Sequence, residues 1–399
     1  MVQTFISLIS VGGEMRSRLI FKAGGAALAV AALGLTFALP ASADIAPGGS
    51  DIVGVGSDTV QNMANFMGDG DTFFAAGGVN ATVSKNRLFS FDATPDANDR
   101  AGYGNGSTPL VPVPLNPTVV LRAGHSPVQR PNGSGAGINA LLADTGHQIN
   151  FVRMSRLPST GEQNNAGAGV GGLHVIKIST DNLKMASATT TNVPAAGLTA
   201  AQLVAIYKCT PGSTDWSAFG GAAGTIIPQT PQAGSGTGKT FLADLQAANG
   251  NVVVPLGGCV QVVEENDPAS ITGSASPANT IAPMSEGRFN LYASGYFYNP
   301  ATVFPGGATP ISSGIKLYSG ATNYTDNRGL FMVFRDADKN LATKWQPGST
   351  QNWVQALFLN STPLNPPYAN STDGQAAIAA GGGTPTYVDC GAGAGVTTC

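Results

Sequence analysis

Three glycine-rich turns, each set between a short apolar run and the start of an amphipathic stretch, constrain this chain more than any other feature. In the first, Ile52-Val53-Gly54-Val55 leads through Gly56-Ser57-Asp58-Thr59 to Val60, Met63, Ala64 and Met67 at helical spacing. In the second, a strand-like stretch over 117–122 precedes Asn132-Gly133-Ser134-Gly135, and Ile138, Leu141 and Leu142 then share one helical face before Gly146. In the third, Thr225-Ile226-Ile227-Pro228 precedes Ala233-Gly234-Ser235-Gly236-Thr237-Gly238, and Phe241, Leu242 and Leu245 follow, up to a stop at Asn249-Gly250. Strand, glycine turn and helix in succession predict an α/β architecture. Each turn also leaves bare backbone amides at a helix start, where the first N–H groups lack intrahelical partners and the dipole favours negative charge. A small oxyanion is the ligand such openings suit.

The third turn also fits a loose phosphate-loop pattern, A-x-x-x-x-G-K-T from Ala233 to Thr240, with Lys239 as the cradling lysine. A nucleotide hydrolase would need an acidic magnesium ligand at the end of a second apolar strand. Val252–Val254 leads instead to Pro255 and Gly257, and Ile178 leads only to Asp181 two residues after Ser179. No G-x-S-x-G elbow lies near a useful histidine, and no H-E-x-x-H is present, so hydrolytic catalysis is not expected. The acidic cluster Glu264, Glu265 and Asp267 reads as surface or lobe-contact groups, because adjacent carboxylates in a strand point to opposite faces.

The N-terminus carries Arg16, Arg18 and Lys22, an apolar run from Ala26 to Leu39, and Ala41-Ser42-Ala43. This is the pattern of a secretory signal peptide over 1–43, with 1–14 as an upstream extension and Met15 the natural start. The exported product is expected in a periplasm or outside the cell. With no cysteine at the cleavage point, it is not expected to be lipid-anchored. What remains is too long for one ordinary core and suits two lobes. Charged residues make up 11%, the formal net charge is −3, and Gly and Pro number 53 and 26, which argues against a nucleic-acid surface and for a neutral, loop-rich protein. The four cysteines all lie in the expected exported part, so two disulfides are expected; three connectivities are possible, of which Cys209–Cys259 with Cys390–Cys399 joins the pairs that lie close in sequence and within one expected lobe. There is no C-x-x-C spacing, and His125, His147 and His174 stand apart from the cysteines, so no metal or cofactor is expected.

Further strands are predicted over 88–91, 149–156, 173–178, 251–254 and 330–335, and further helices after a Thr199 cap and over 351–358. Ser57 or Asp58 is placed as the cap of the first helix, Arg153 as a solvated charge at a strand end, and the segment 70–118 as long loops.

Three segments taken together resemble the type II periplasmic binding protein superfamily, in its PstS-like, phosphate-binding branch. They are Val55-Gly56-Ser57-Asp58-Thr59-Val60-Gln61; Arg130 to Leu142 followed by Ile149 to Arg156; and Leu198 to Gly220 followed by Pro231 to Thr237. The resemblance implies two α/β lobes joined by two crossing strands, near Leu173–Ile178 and Ile281–Gly287. It implies lobe boundaries of 44–176 and 282–399 for the first lobe and 177–281 for the second. It also implies a ligand site of Ser57, Thr59, Ser134, Gly135, Ser155, Arg156, Ser235, Gly236 and Thr237. The expected role is that of a monomeric solute-binding protein that delivers phosphate or a related oxyanion to ABC importer membrane subunits. Two positions depart from the family pattern: Arg156 stands where the family has an aspartate, and Pro231 where it has an arginine. Arg156 is therefore read as the replacement guanidinium. The competing class is a secreted or wall-associated structural protein, which suits Gly- and Asn-rich loops but leaves the three amide-rich helix starts without a purpose.

Overall fold

The computed structural model describes residues 46–71, 74, 76–83, 86–94, 116–294, 296, 298–299, 309–310, 313–359, 366–393, 395–396 and 398–399. The expected signal peptide, most of the 70–118 loop region and part of the tail beyond 360 lie outside the described residues.

Strands are β1 (Ile52–Gly56), β2 (Leu88–Ser90), β3 (Thr118–Val119), β4 (Val128–Gln129), β5 (Phe151–Met154), β6 (Leu173–Ala188), β7 (Ile227–Pro231), β8 (Gln261–Val263), β9 (Thr280–Ser285), β10 (Tyr298–Asn299), β11 (Thr309–Pro310), β12 (Ile315–Leu317), β13 (Thr325–Arg335) and β14 (Thr384–Ala392). The α-helices are α1 (Gln61–Asp69), α2 (Ser134–Ala143), α3 (Thr160–Gln163), α4 (Ala200–Tyr207), α5 (Gly236–Ala248), α6 (Pro268–Thr272), α7 (Glu286–Ser294), α8 (Trp353–Leu357) and α9 (Thr372–Ala380).

One mixed sheet runs in the order β2-β1-β5-β13-β6-β9-β7-β8, with β12 and β14 also paired to β6. Two parallel groups flank an antiparallel centre: β2, β1 and β5 on one side, β9, β7 and β8 on the other. The centre is β6, whose first part pairs with β14 and whose second part, Leu183–Ser187, pairs with β9, while β13 runs alongside from Leu173 to Lys184. Alternation decides which layer each side chain joins. Phe151 and Ile176 enter the core under α1, α8 and α9, while Val152, Met154 and Val175 enter the one under α2. Leu183, Met185 and Ile281 pack against α4 and α5, while Ala186, Ala282 and Met284 pack on the face of α6. The result is the two-lobe α/β fold expected, with helices on both faces of the sheet. Burial of one such side chain contributes roughly 1.5–3 kcal/mol.

Local signals explain the helix ends. Thr199 and Gln202 form a reciprocal capping box at α4, and Ser235 caps α5 through the Gly238 amide at 2.8 Å. The cap expected at α1 is not formed: a turn over 58–60 intervenes, Val60 holds the cap position without a side-chain bond, and Ser57 and Asp58 are left for other contacts. The strand expected over 251–254 is also absent. Asn251 takes φ 64°, Pro255 removes a donor, and Val252 and Val253 stand 64% and 68% exposed, so pairing resumes only at β8. The strand expected over 173–178 is far longer, because its polar middle, Ser179 to Asn182, reads as a loop in sequence but pairs with β13 throughout and with β14 at Ser179 and Thr180. Cys209–Cys259 and Cys390–Cys399 are both bonded. Among the described residues no helix is long and apolar enough to cross a membrane.

Candidate functional site

The carboxyl ends of the parallel strands face one crevice, where open α/β sheets place their ligands. Ser57 follows β1, Ser155 follows β5, Gln232 to Ser235 follow β7, and Glu264 to Asn266 follow β8.

On the β1 side, Gly56 turns at φ 117° with its Cα pressed on the Arg153 backbone, a place where a side chain would clash. The Ser57 amide donates to the Arg153 carbonyl at 3.0 Å, and the Arg153 guanidinium returns bonds to the carbonyls of Ser57 (3.0 Å) and Gly56 (3.1 Å). Arg153 is fully buried, which corrects its reading as a solvated charge. Alternation explains the error: on β5 it faces inward and braces the loop that carries Ser57. Ser134, the first residue of α2, accepts the Ser155 amide at 2.9 Å, and the two hydroxyls lie 3.2 Å apart.

On the β7 side, the start of α5 comes directly over these hydroxyls. A Cβ on Gly236 would overlap both Ser134 Oγ and Ser155 Oγ, so only glycine allows this approach. The Gly135 amide donates to the Gly234 carbonyl at 2.8 Å. Thr237 Oγ1 meets Thr59 Oγ1 at 3.2 Å and accepts from Arg328 Nη1 at 2.9 Å. Ser57, Thr59, Ser134, Ser155, Ser235, Gly236 and Thr237 are thus brought together and buried, with Gly135 half-buried at their margin. Among the described residues, the fully buried Ser57 Oγ has no hydrogen-bond partner.

Arg156 does not join the buried hydroxyls but lines a neighbouring groove with Gly135 and Ser235. Its guanidinium binds both oxygens of Glu162, at 2.8 and 2.7 Å, and the Leu157 carbonyl. Burial alone would raise the Glu162 carboxyl, but the bonds from Arg156 and Ser159 outweigh it and hold it at about 2. Arg156 lines a groove of about 370 Å³ on the outer side of the 232–235 loop, with Lys239 opposite. Lys239 is exposed there, away from the buried amides.

Several contributors went unread in the sequence. Arg328, from β13, is the guanidinium that reaches the cluster, and Asp181 holds it through Nε and Nη2 at 3.2 and 2.9 Å. A lone arginine ahead of an apolar run was the available signal. Asp58, first taken as a cap, is wholly buried and receives Asn266 Nδ2 on both oxygens, at 3.1 and 3.2 Å; the same amide reaches Thr59. Glu265 is 2% exposed and accepts from Ser235 Oγ at 2.5 Å. It is therefore no surface group: the chain turns sharply after β8, so alternation no longer applies. Glu264 does bridge the crevice, accepting from Asn132 and Gln232 at 2.9 and 3.0 Å. Burial, with Asp58 and Asp267 adding to it, pushes Glu264 up to about 7 against those two hydrogen bonds. Burial first, and then Glu265, raise Asp58 well above the usual carboxylate range.

A family model described as the PBP superfamily domain matches residues 119–372. The chain belongs to the PBP superfamily. Solved structures with a similar course include an ABC-type phosphate transport receptor from Vibrio cholerae, 15% identical, covering 84% of this chain and 100% of that one, TM-score 0.46. A second is PstS from Borrelia burgdorferi, 14% identical, covering 85% and 98%, TM-score 0.38. No curated protein matches. In this PBP-superfamily chain the buried crevice offers hydroxyl and amide donors from both sides of the sheet, together with carboxyl groups that can hold or accept a proton. Among the described residues no group of three or more His, Cys, Asp or Glu side chains is disposed to hold a metal ion.

Proposed function

We propose that the protein is an exported solute-binding protein that captures phosphate or a related oxyanion between two lobes and hands it to the membrane subunits of an ABC-type importer. In this reading one lobe comprises 44–176 and 282–399 and the other 177–281, and Ser57, Thr59, Ser134, Gly135, Ser155, Ser235, Gly236 and Thr237 supply the donors. One observation carries the reading: the opening of α5 comes down on Ser134 and Ser155 while Thr237 touches Thr59, so hydroxyls and amides from both sides converge in a buried crevice. Such donors are strongest toward an anion when water is excluded. A ligand held by both sides stabilises the closed arrangement, whereas one touching a single side would not. Arg328 takes the part first given to Arg156.

The test is a thermal-shift and calorimetric panel of phosphate, arsenate, sulfate, organic phosphates and magnesium ATP. Simple oxyanions are expected to stabilise the protein, by about 2.7 kcal/mol at a hundredfold excess over Kd. Stabilisation by magnesium nucleotide alone would transfer the argument to the phosphate-loop reading, which the exposed position of Lys239 disfavours.

A further inference from the structure

The groove of about 370 Å³ outside the 232–235 loop takes its walls from both sides of the crevice. Asn139, Arg156 and Glu162 stand on one side, and Pro231, Lys239 and Leu242 on the other. Gly135 and Ser235 belong to the groove and also to the cluster of buried hydroxyls, so the two spaces adjoin. A tetrahedral oxyanion held among the hydroxyls has no further atoms to place in the groove.

This groove is short of negative charge. α2 and α5, ten and thirteen residues long, both line it with their first turns, and neither first turn carries an acidic residue. Lys239 sets a cation at the positive end of the α5 dipole, an arrangement that an added anion would relieve. Its side chain is exposed, and among the described residues none pairs with the ammonium. Among those residues Glu162 is the one carboxylate in the walls, and both of its oxygens are taken by Arg156. Arg156 nevertheless keeps a donor unused. Its side chain is only 10% exposed, and its buried Nε has no hydrogen-bond partner among the described residues. Pro231 and Leu242 add apolar surface that suits a short carbon skeleton.

We propose that the groove is a second subsite for one ligand, a small phosphate ester that bears a further anionic group, with its phosphoryl oxygens among the buried hydroxyls and its second anion between Arg156 and Lys239. The inference rests on the oxyanion capture proposed above. Glu162 fixes the guanidinium in place, while the lysine brings a mobile ammonium to the same anion. Arg156 follows β5 and Lys239 belongs to α5, so the second anion also joins the two sides and adds to the preference for the closed arrangement.

The experiment is calorimetric titration of the intact protein with inorganic phosphate, glycerol 3-phosphate and 3-phosphoglycerate. The two esters differ only in a carboxylate that replaces a hydroxymethyl group. The wild type is expected to bind 3-phosphoglycerate about tenfold more tightly than glycerol 3-phosphate, as one charge-assisted contact implies. Lys239→Gln should remove that advantage and leave the affinity for inorganic phosphate unchanged. Asn139→Trp, at an exposed position in the wall, should fill the groove and weaken both esters by about tenfold or more, again with phosphate unaffected. Phosphate binding without ester binding, equal affinity for the two esters, or ester binding that neither substitution alters would overturn the second subsite while leaving oxyanion capture intact. Absence of binding by phosphate and by both esters would remove both.

Discussion

Arg328 and Arg335 sit near opposite ends of β13 and are almost equally buried, yet their partners differ in kind. Arg335 gives its hydrogen bonds to backbone carbonyls, Leu141 at 2.6 Å, Asp144 at 2.9 Å, Ile149 at 3.1 Å and Gly167 at 3.3 Å, with the Asp144 carboxylate a looser ion-pair partner at 3.8 Å. Those groups surround the end of α2, so the residue ties one helix to the sheet. Arg328 spends its guanidinium on side chains, Asp181 of β6 and Thr237 of α5, where the second partner belongs to the opposite side of the crevice. Burial alone therefore does not mark a functional charge. The informative property is whether the partner is fixed backbone or a group that a ligand could replace.

The comparison breaks most readily at Arg335. Replacing it with Met is expected to cost about 3–5 kcal/mol of folding free energy in a urea titration, since four carbonyls lose a shared donor and the buried Asp144 carboxylate loses its ion pair. Phosphate affinity of the folded fraction should remain unchanged. The double variant Arg328→Gln/Asp181→Asn removes both charges of the other pair, and phosphate affinity should fall by about 1.5–3 kcal/mol, ten- to a hundredfold or more, while stability stays close to wild type. If affinity survives, Arg328 is a structural brace like Arg335. Ser235→Ala tests the helix opening between these extremes: loss of the α5 cap should cost ~1 kcal/mol in stability, with weaker phosphate binding in the same preparation.

The smallest effect is expected at His174, which bonds Asp336 through Nδ1 and Asp389 of β14 through Nε2, both at 2.8 Å, and stacks on Phe334. Burial pushes the imidazole down, but the bonds to Asp389 and Asp336 outweigh it and its pKa is raised. The charged form is thus favoured by folding. Its contribution is complete below the unfolded value of about 6.5 and disappears as pH climbs through the raised folded value. Melting profiles of wild type and His174→Gln should therefore converge at alkaline pH and separate on acidification. Convergence in the opposite direction would mean that the ring is held neutral.

The legible part of the molecule was the part written in local chemistry. Glycine turns, hydroxyl caps and helical periodicity placed α1, α2, α4 and α5, and they pointed to the hydroxyls that meet in the crevice. What stayed hidden depends on long-range geometry. The polar centre of β6 looks like a loop until β13 and β14 cover it, and Asp58 looks like a cap until Asn266 arrives from a distant segment. Arg153 and Arg156 differ by three positions, and the sequence reading took Arg153 for a solvated charge, although it is the fully buried one. On β5 the first faces inward, while the second has already passed the strand end, where Glu162 captures it.

The position of β13 between β5 and β6 carries a consequence for biosynthesis. β5 has no inner neighbour until the ribosome has passed Arg335, so the first sheet segments emerge long before the strand that completes them. Until then the segment β2-β1-β5 lacks the strand that joins it to β6. In the meantime the inner edge of β5 keeps its backbone donors and acceptors open to pairing.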